Sequence, residues 1–277
     1  MESSSDSGDA KKQVHDFWNA DACGERLLLD EMTLDGFRAQ AEERYRLEPF
    51  IPEFAEFQRW EGKDVLEIGL GLGADHEQFA SGGARLSGID LTERSVQMTR
   101  ERLALRGLES DVRVGDAEKL PYPDESFDLV YSWGVIHHSP DTSRAASEIL
   151  RVLRPGGVFR VMVYNYWSLI GLMLWTRYAL LRGRPFVSLE SIYSTYLESP
   201  GTKAYTPADG VKLFDGARNV SARAVLTHGD LLESGAGQRH EGRLLDIARR
   251  MWPRWLLRVA CRRMGLFLLI EGRKASR

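Results

Sequence analysis

From Asp64 to Tyr164 the apolar positions change rhythm repeatedly. Short runs rich in Val, Ile, Leu and Phe alternate with longer stretches in which apolar residues recur every three or four positions. The runs Asp64–Ile68, Arg85–Ile89, Asp111–Val114, Phe127–Trp133 and Val158–Tyr164 predict strands. The stretches Ala74–Ala80, Thr92–Arg106 and Thr142–Leu153 predict helices between them. Thr92 is placed to cap the second helix, and Pro155-Gly156-Gly157 to close the third. Alternation at this spacing implies a parallel sheet with helices on both faces, joined by right-handed crossovers. The fifth run is apolar throughout except for Arg160.

Outside this stretch the pattern is less regular. Residues 1–13 are polar and acidic and predict a disordered tail. Residues 14–60 predict a helical cap broken at Pro49 and Pro52. Residues 61–164 form the core, and 165–205 an insertion containing an apolar helix over Leu169–Leu181 and the aromatics Phe186, Tyr193, Tyr196 and Tyr205. Residues 206–277 return to the sheet. There, a short helix over Thr206–Gly216 has Thr206 as N-cap and Pro207 behind it. Strands follow at Ala222–Thr227 and Leu266–Glu271, with a glycine-rich loop over 229–242 and a helix over Arg243–Arg262, kinked at Pro253, between them.

Composition narrows the class without naming it. The 277 residues are 43% hydrophobic and 28% charged, with net charge −3. That balance argues against nucleic acid as a partner. Cys23 and Cys261 form no metal-type cluster, and no H-E-x-x-H pattern occurs, so no metal is expected. The beginning of the chain lacks the basic and apolar regions of a secretory signal, and the apolar stretches Leu169–Trp175 and Gly265–Ile270 fall short of the ~20 residues a spanning helix needs. A cytoplasmic protein is the expectation. Charge is segregated: residues 1–60 carry net −7 and residues 239–277 net +8. The helix over 243–262 pairs an apolar face with flanking arginines. Two readings fit it: packing on its own sheet, or weak contact with a membrane surface.

The chemistry begins at VLEIGLGLGADHEQF, residues 65–79, where a buried strand ends in Gly69, Gly71 and Gly73. Glycines at such a corner permit a tight turn and the close approach of a ligand. Ligands of open parallel sheets bind beyond the carboxyl ends of the strands, so Asp90, Asp116 and Ser132 to His138 join the candidates. The glycine spacing also satisfies a dinucleotide fingerprint. Glu67, Asp75 and Glu77 around the corner suit a ligand with a positive group better than a pyrophosphate. For Asp75 and Glu77, compensation of the helix dipole serves equally.

EIGLGLG resembles the first motif of class I S-adenosylmethionine-dependent methyltransferases. GIDLTERSV, GDAEKLPYPDESFDLVYSWGVIHHSPD and EILRVLRPGGVF resemble, in order and spacing, later motifs of their small-molecule branch, typified by quinone-biosynthesis methyltransferases. The resemblance covers residues 60–165. It implies an α/β, Rossmann-like, seven-stranded, mostly parallel sheet with helices on both faces, an N-terminal helical segment and a helical lid insertion, and S-adenosylmethionine as cofactor. It further implies that the glycine corner admits the methionine and ribose, and that Glu67 lies near the methionine ammonium. Asp90 would take the ribose hydroxyls, Leu91 would pack on the adenine, and Asp116 with the Ala117 amide would meet its amino group. Ser132 and Trp133 would lie near the methyl.

A sulfonium methyl is already activated, so the protein mainly aligns a nucleophile and excludes water. Where a base is needed, the candidates are His137 and His138, of which at most one faces the site, because neighbouring side chains diverge. His137 and Tyr164 are the predicted catalytic residues; a packing role for the histidine pair is the alternative. The variable segments His15–Trp18 and 165–205, aromatic and apolar, predict a small hydrophobic or aromatic acceptor. Two other functions fit the residues: a nicotinamide-dependent oxidoreductase, and a protein that binds the cofactor without turnover. The N-P-P-Y-type tetrapeptide of base-modifying enzymes is absent after the fourth strand, where the chain reads SWGV.

Overall fold

The computed structural model describes residues 4–25, 29, 31–233 and 251–276. The helical entry comprises α1 (Ser4–Ala20), α2 (Leu34–Leu47) and α3 (Phe50–Ala55). The core then runs β1 (Asp64–Ile68), α4 (Ala74–Ser81), β2 (Arg85–Asp90), α5 (Glu93–Leu105), β3 (Asp111–Val114), β4 (Phe127–Trp133), α6 (Thr142–Val152) and β5 (Leu153–Asn165). The insertion holds α7 (Leu169–Tyr178), α8 (Leu189–Tyr196) and the two-residue strand β6 (Ala204–Tyr205). α9 (Pro207–Lys212), β7 (Ala217–Val225), α10 (Arg254–Ala260) and β8 (Phe267–Lys274) complete the order.

The sheet order is β3-β2-β1-β4-β5-β8-β7, with β6 beside the end of β5. Neighbours among β3, β2, β1, β4 and β5 are parallel, and β8 runs antiparallel to both β5 and β7. The direction of the chain therefore reverses only at the β8 side, and the glycine corner sits at the centre of the sheet. Successive residues of one strand serve opposite faces. Leu66 and Ile68 join the cluster under α6, with Val130, Ile149 and Val161. Val65 joins Leu129, Tyr131, Met162 and Leu269 on the other face, against α3 and the turn through Trp60. Arg160, the polar interruption in β5, is buried and pairs with Glu56, its guanidinium lying over the rings of Phe54 and Trp60. It thus ties the helical entry to the sheet.

The helical entry is also anchored from α5. Arg102 is fully buried. It donates to Glu77 at 2.6 Å, to Gln40 at 2.7 Å, and to the carbonyls of Leu72 and Phe37. Removing this cation leaves the Glu77 carboxylate with only the half-exposed Arg106, at 2.9 Å. Arg102→Met is expected to cost about 3 kcal/mol in urea unfolding, as for other broken buried ion pairs. A loss below about 1 kcal/mol would mean the network is dispensable.

Two expectations change. From Ser4 onward the chain is helical where a disordered tail over 1–13 is predicted. The polar sequence hides a docking face. Lys11 pairs with Asp116 and Glu118, both at 2.6 Å, Val14 is buried, and Trp18 meets the His138 ring edge-on at 5.4 Å. The basic helix over 243–262 falls partly outside the described residues. Within them Met251 is helical, the helix is interrupted at Trp252 and Pro253, and Pro253 stands at the N-cap of α10. Trp255, Leu256 and Val259 are exposed, so this part does not pack on the sheet. No helix among the described residues is long and apolar enough to cross a membrane.

Candidate functional site

A cavity of about 1440 Å³ opens above the carboxyl ends of β1, β2, β4 and β5. This exceeds the usual volume of a small-molecule pocket, ~300–1,000 Å³. One half is polar and is lined by Glu67, the glycine corner, Asp90, Asp116 and Ala117. The other is apolar, with Ile170, Leu172, Met173 and Leu181 from the insertion. Lys11, Val14, Phe17 and Trp18 of α1 also line it.

The corner has the conformation that the glycines suggest. Gly69, Gly71 and Gly73 have φ of 83°, 52° and 73°. A Cβ on Gly69 would lie 2.0 Å from Val135 Cγ2, and one on Gly73 would lie 2.9 Å from Thr99 Oγ1. Those two serve internal packing. A Cβ on Gly71 would meet nothing within 4 Å, so this glycine presents bare backbone to the cavity.

Asp90 shapes the corner. One carboxylate oxygen accepts from the Leu70 and Gly71 amides, at 2.8 and 3.3 Å, and the other from the Thr92 amide and hydroxyl, at 2.9 and 2.8 Å. The four lone-pair positions of a carboxylate are thereby occupied within the protein. Asp116 accepts from Lys11 and from the Glu118 amide. Leu91 and Ala117 line the cavity beside these acids.

Glu67 is buried beside His76, with Oε2 2.8 Å from Nδ1. The far nitrogen of His76 lies 2.9 Å from Ser110 Oγ, whose own proton is directed to the Leu86 carbonyl. Ser110 therefore accepts from His76, leaving Nδ1 of a neutral ring as an acceptor and Glu67 as the donor. Burial pushes the His76 pKa down to about 3 and raises that of Glu67 well above the carboxylate range, helped by the nearby Asp75 charge. A neutral pair satisfies both directions.

The other two acids near the corner have a structural use. Asp75 accepts from Arg44 at 2.8 Å and from the hydroxyls of Tyr45 and Tyr131, at 3.0 and 2.9 Å. Glu77 holds Arg102 and Arg106. Their charge is met by arginines from α2 and α5 rather than left for a ligand.

At the far end of β4 the expectations divide. Trp133 lines the cavity, packed among Phe50, Phe54 and Phe267. Ser132, on the opposite face of the strand, is fully buried and is not part of the cavity wall. His137 is likewise fully buried behind the wall, its ring 4.2 Å from that of Tyr164, and burial drives its pKa well down. The histidine that reaches the cavity is His138, not His137. Neighbouring side chains diverge, and the turn after β4 aims the second one inward.

His138 belongs to a cluster with Tyr164 and Glu198, all three on the cavity wall. Tyr164 donates to Glu198 Oε2 at 2.5 Å, and the same oxygen lies 3.4 Å from His138 Nε2. His138 Nδ1 lies 2.8 Å from Ser199 Oγ and 3.1 Å from Thr202 Oγ1. Thr202 spends its proton on the Ser199 carbonyl, so toward His138 it can only accept. This favours Nδ1–H and leaves Nε2, buried 3.4 Å from Glu198 Oε2 and without a hydrogen-bond partner, as the basic nitrogen of the ring. Burial, and then the Glu198 charge, raise the Tyr164 pKa well above that of a free phenol, so Tyr164 stays protonated. Nitrogen and oxygen atoms of His137, His138 and Glu198 lie within 4.8 Å of one another, a spacing a metal could use; Glu198 Oε2 accepts from Tyr164, while both His137 nitrogens and His138 Nε2 have no hydrogen-bond partner. Glu198 carries no local motif in the sequence. It reaches the site only because α8 folds back over β5.

The fold and this cavity, with a glycine corner, an acid after β2 and a polar and apolar half, define a class of nucleoside-binding transferases. A family model described as "Methyltransferase domain" matches residues 66–161. A probable S-adenosylmethionine-dependent methyltransferase of Mycolicibacterium smegmatis is 39% identical over 141 residues, covering 50% of this chain and 51% of its own. A phthiotriol/phenolphthiotriol dimycocerosates methyltransferase of Mycobacterium tuberculosis is 42% identical over 100 residues, 35% of this chain and 36% of its own. An uncharacterized Mycobacterium bovis protein is 32% identical over 187 residues, 63% of this chain and 67% of its own. Among solved structures, a Haemonchus contortus phosphoethanolamine N-methyltransferase with S-adenosylhomocysteine bound is 18% identical and superposes with a TM-score of 0.59, covering 95% of this chain and 60% of its own. Residues 66–161 match the methyltransferase domain family, and the chain has the Rossmann-like fold of class I S-adenosylmethionine-dependent methyltransferases. It spans about half the length or less of the first two relatives named above.

Proposed function

We propose that this protein transfers the methyl group of S-adenosylmethionine to a hydroxyl on a large apolar acceptor. The observation that carries the proposal is one cavity with two unlike halves, joined at the Glu198–His138–Tyr164 cluster. The donor lies on the polar half. Gly71 leaves room for it, Glu67 faces its ammonium, Asp90 and Asp116 face the ribose and adenine, and Leu91, Ala117 and Trp133 shape the walls. Asp90 serves the ribose by exchanging part of its hold on the Leu70 and Gly71 amides, so donor binding and corner geometry are linked.

The acceptor lies on the apolar half, its hydroxyl at His138 Nε2. In-line displacement forms the oxygen–carbon bond and breaks the carbon–sulfur bond. The hydroxyl proton passes to His138, whose imidazolium is stabilised by Glu198. A hydroxyl gains more from a base than an amine or thiol does, and a base is what this cluster supplies. The homologue named for phthiotriol/phenolphthiotriol dimycocerosates supports an acceptor with extended apolar parts. Incubation of the protein with methyl-labelled donor and solvent-extracted cell lipids, followed by mass spectrometry, tests the proposal. Label found only in water-soluble amines would overturn it.

Glu67 adds a measurable signature. Protonated in the free protein, it loses its proton when a cationic ligand arrives beside it, because opposite charge favours the carboxylate. Donor affinity is therefore expected to rise with pH until the raised pKa of Glu67 is passed. Calorimetry in buffers of different ionisation enthalpy should show proton release, and Glu67→Gln should abolish both effects. A pH-independent affinity would sink this assignment.

A further inference from the structure

Two segments flank the apolar half of the cavity and end in solvent. The first is α7 with the turn that follows it, residues 168–187; the second is residues 251–264, which include α10. Hydrogen bonds join their roots. The Leu169 amide donates to the Met264 carbonyl at 2.8 Å, and the Asn165 side chain donates to the Arg263 carbonyl at 3.2 Å. Asp230 accepts from the Ile170 amide through its side chain and from the Trp252 indole through its carbonyl.

Both segments expose large apolar side chains that a water-soluble surface rarely shows together. Phe186 is 99% exposed, Leu181 69%, Trp255 74% and Val259 72%. Leu172 and Leu181 are exposed and also line the cavity, and Trp252 lines it from the second segment. The cavity thus opens through an apolar rim. Within the two segments the charge has one sign: they carry seven arginines and no Asp or Glu. Of the seven, Arg258 pairs with Glu233 and Arg254 donates to the Leu231 and Leu232 carbonyls. Arg177 and Arg182 lie over the Tyr178 ring, 5.4 and 5.0 Å from its centre.

We propose that this face docks on an anionic lipid bilayer and that the cavity mouth opens into it. Exposed Phe, Trp and Leu side chains gain by entering the interfacial layer, and arginines among them gain by meeting anionic headgroups. A nucleic acid would use the arginines but leave the apolar rim in water. The docking rests on the rim and its charge; its purpose, delivery of an apolar acceptor, rests on the function proposed above.

Flotation of the full chain with vesicles of equal parts phosphatidylcholine and phosphatidylglycerol tests the docking, with pure phosphatidylcholine vesicles as control. Binding to the anionic vesicles at low ionic strength, falling with salt, is expected. The pair Phe186→Ser with Trp255→Ser, and separately Arg182→Ala with Arg184→Ala, should each lower partitioning about tenfold or more. All four side chains are exposed, so donor affinity measured by calorimetry should stay unchanged and certify the fold. No binding to anionic vesicles at low salt, or binding that both pairs of substitutions leave intact, overturns the proposal. Methyl transfer to a long-chain alcohol in detergent micelles is followed in parallel. Transfer without vesicle binding overturns the docking alone. Rim-dependent binding without transfer supports the docking and counts against the proposed activity.

Discussion

Gly71→Ala is expected to fold and to lose donor binding by about a hundredfold or more. The added methyl meets no protein atom within 4 Å, so the core is undisturbed. The left-handed φ of 52° costs a non-glycine residue about 1–2 kcal/mol. For a chain of this size that lowers the melting temperature by only a few degrees. The same methyl projects into the polar half of the cavity, where the donor would approach bare backbone. Gly69→Ala is the informative contrast. Its methyl would overlap Val135 Cγ2 at 2.0 Å, inside the fold, and should lower stability sharply. Thermal melts and donor titrations of both variants separate the two roles. A Gly71→Ala protein that binds the donor as tightly as the parent removes the glycine corner from the site.

The second large effect concerns turnover. His138→Asn should reduce kcat about a hundredfold to ten-thousandfold, the usual contribution of a positioned base, while donor affinity is kept. Asparagine retains a polar group near Ser199 and Thr202 but offers no basic nitrogen at the Nε2 position. Glu198→Gln should act in the same direction but less strongly, because it removes stabilisation of the imidazolium rather than the base. His137→Asn tests the other member of the pair. His137 lies behind the cavity wall with no hydrogen-bond partner on either ring nitrogen, so its loss should act on stability rather than on proton transfer. Equal kcat in the His138→Asn protein and the parent would show that the acceptor needs no base here.

The sequence made the sheet legible because its information is local. Buried strands are short apolar runs, and Gly69, Gly71 and Gly73 mark a corner where the backbone turns left-handed at alternate residues. What escaped depends on distant packing. Nothing near Lys11 announces that Asp116 and Glu118 lie across from it, so a helix reads as a loose tail. Asp75 and Glu77 look like charges aimed at a ligand until α2 and α5 bring Arg44, Arg102 and Arg106 to them. Glu198 follows a helix in the insertion, more than thirty residues from Tyr164, and only the return of α8 over β5 unites them. Between His137 and His138 the choice turns on the direction of one backbone turn, which periodicity does not resolve.

The roof over the cavity has a kinetic consequence. Lys11 clasps Asp116 and Glu118 at the polar end, while Trp18, further along α1, rests against His138 at the reactive centre. One rigid rod therefore spans both chambers, and swinging it away uncovers them together. The donor, held beneath the clasped end of the rod, should load before an acceptor that enters by the apolar rim. Spent S-adenosylhomocysteine should then compete with donor alone, and its departure should quicken as salt weakens the clasp.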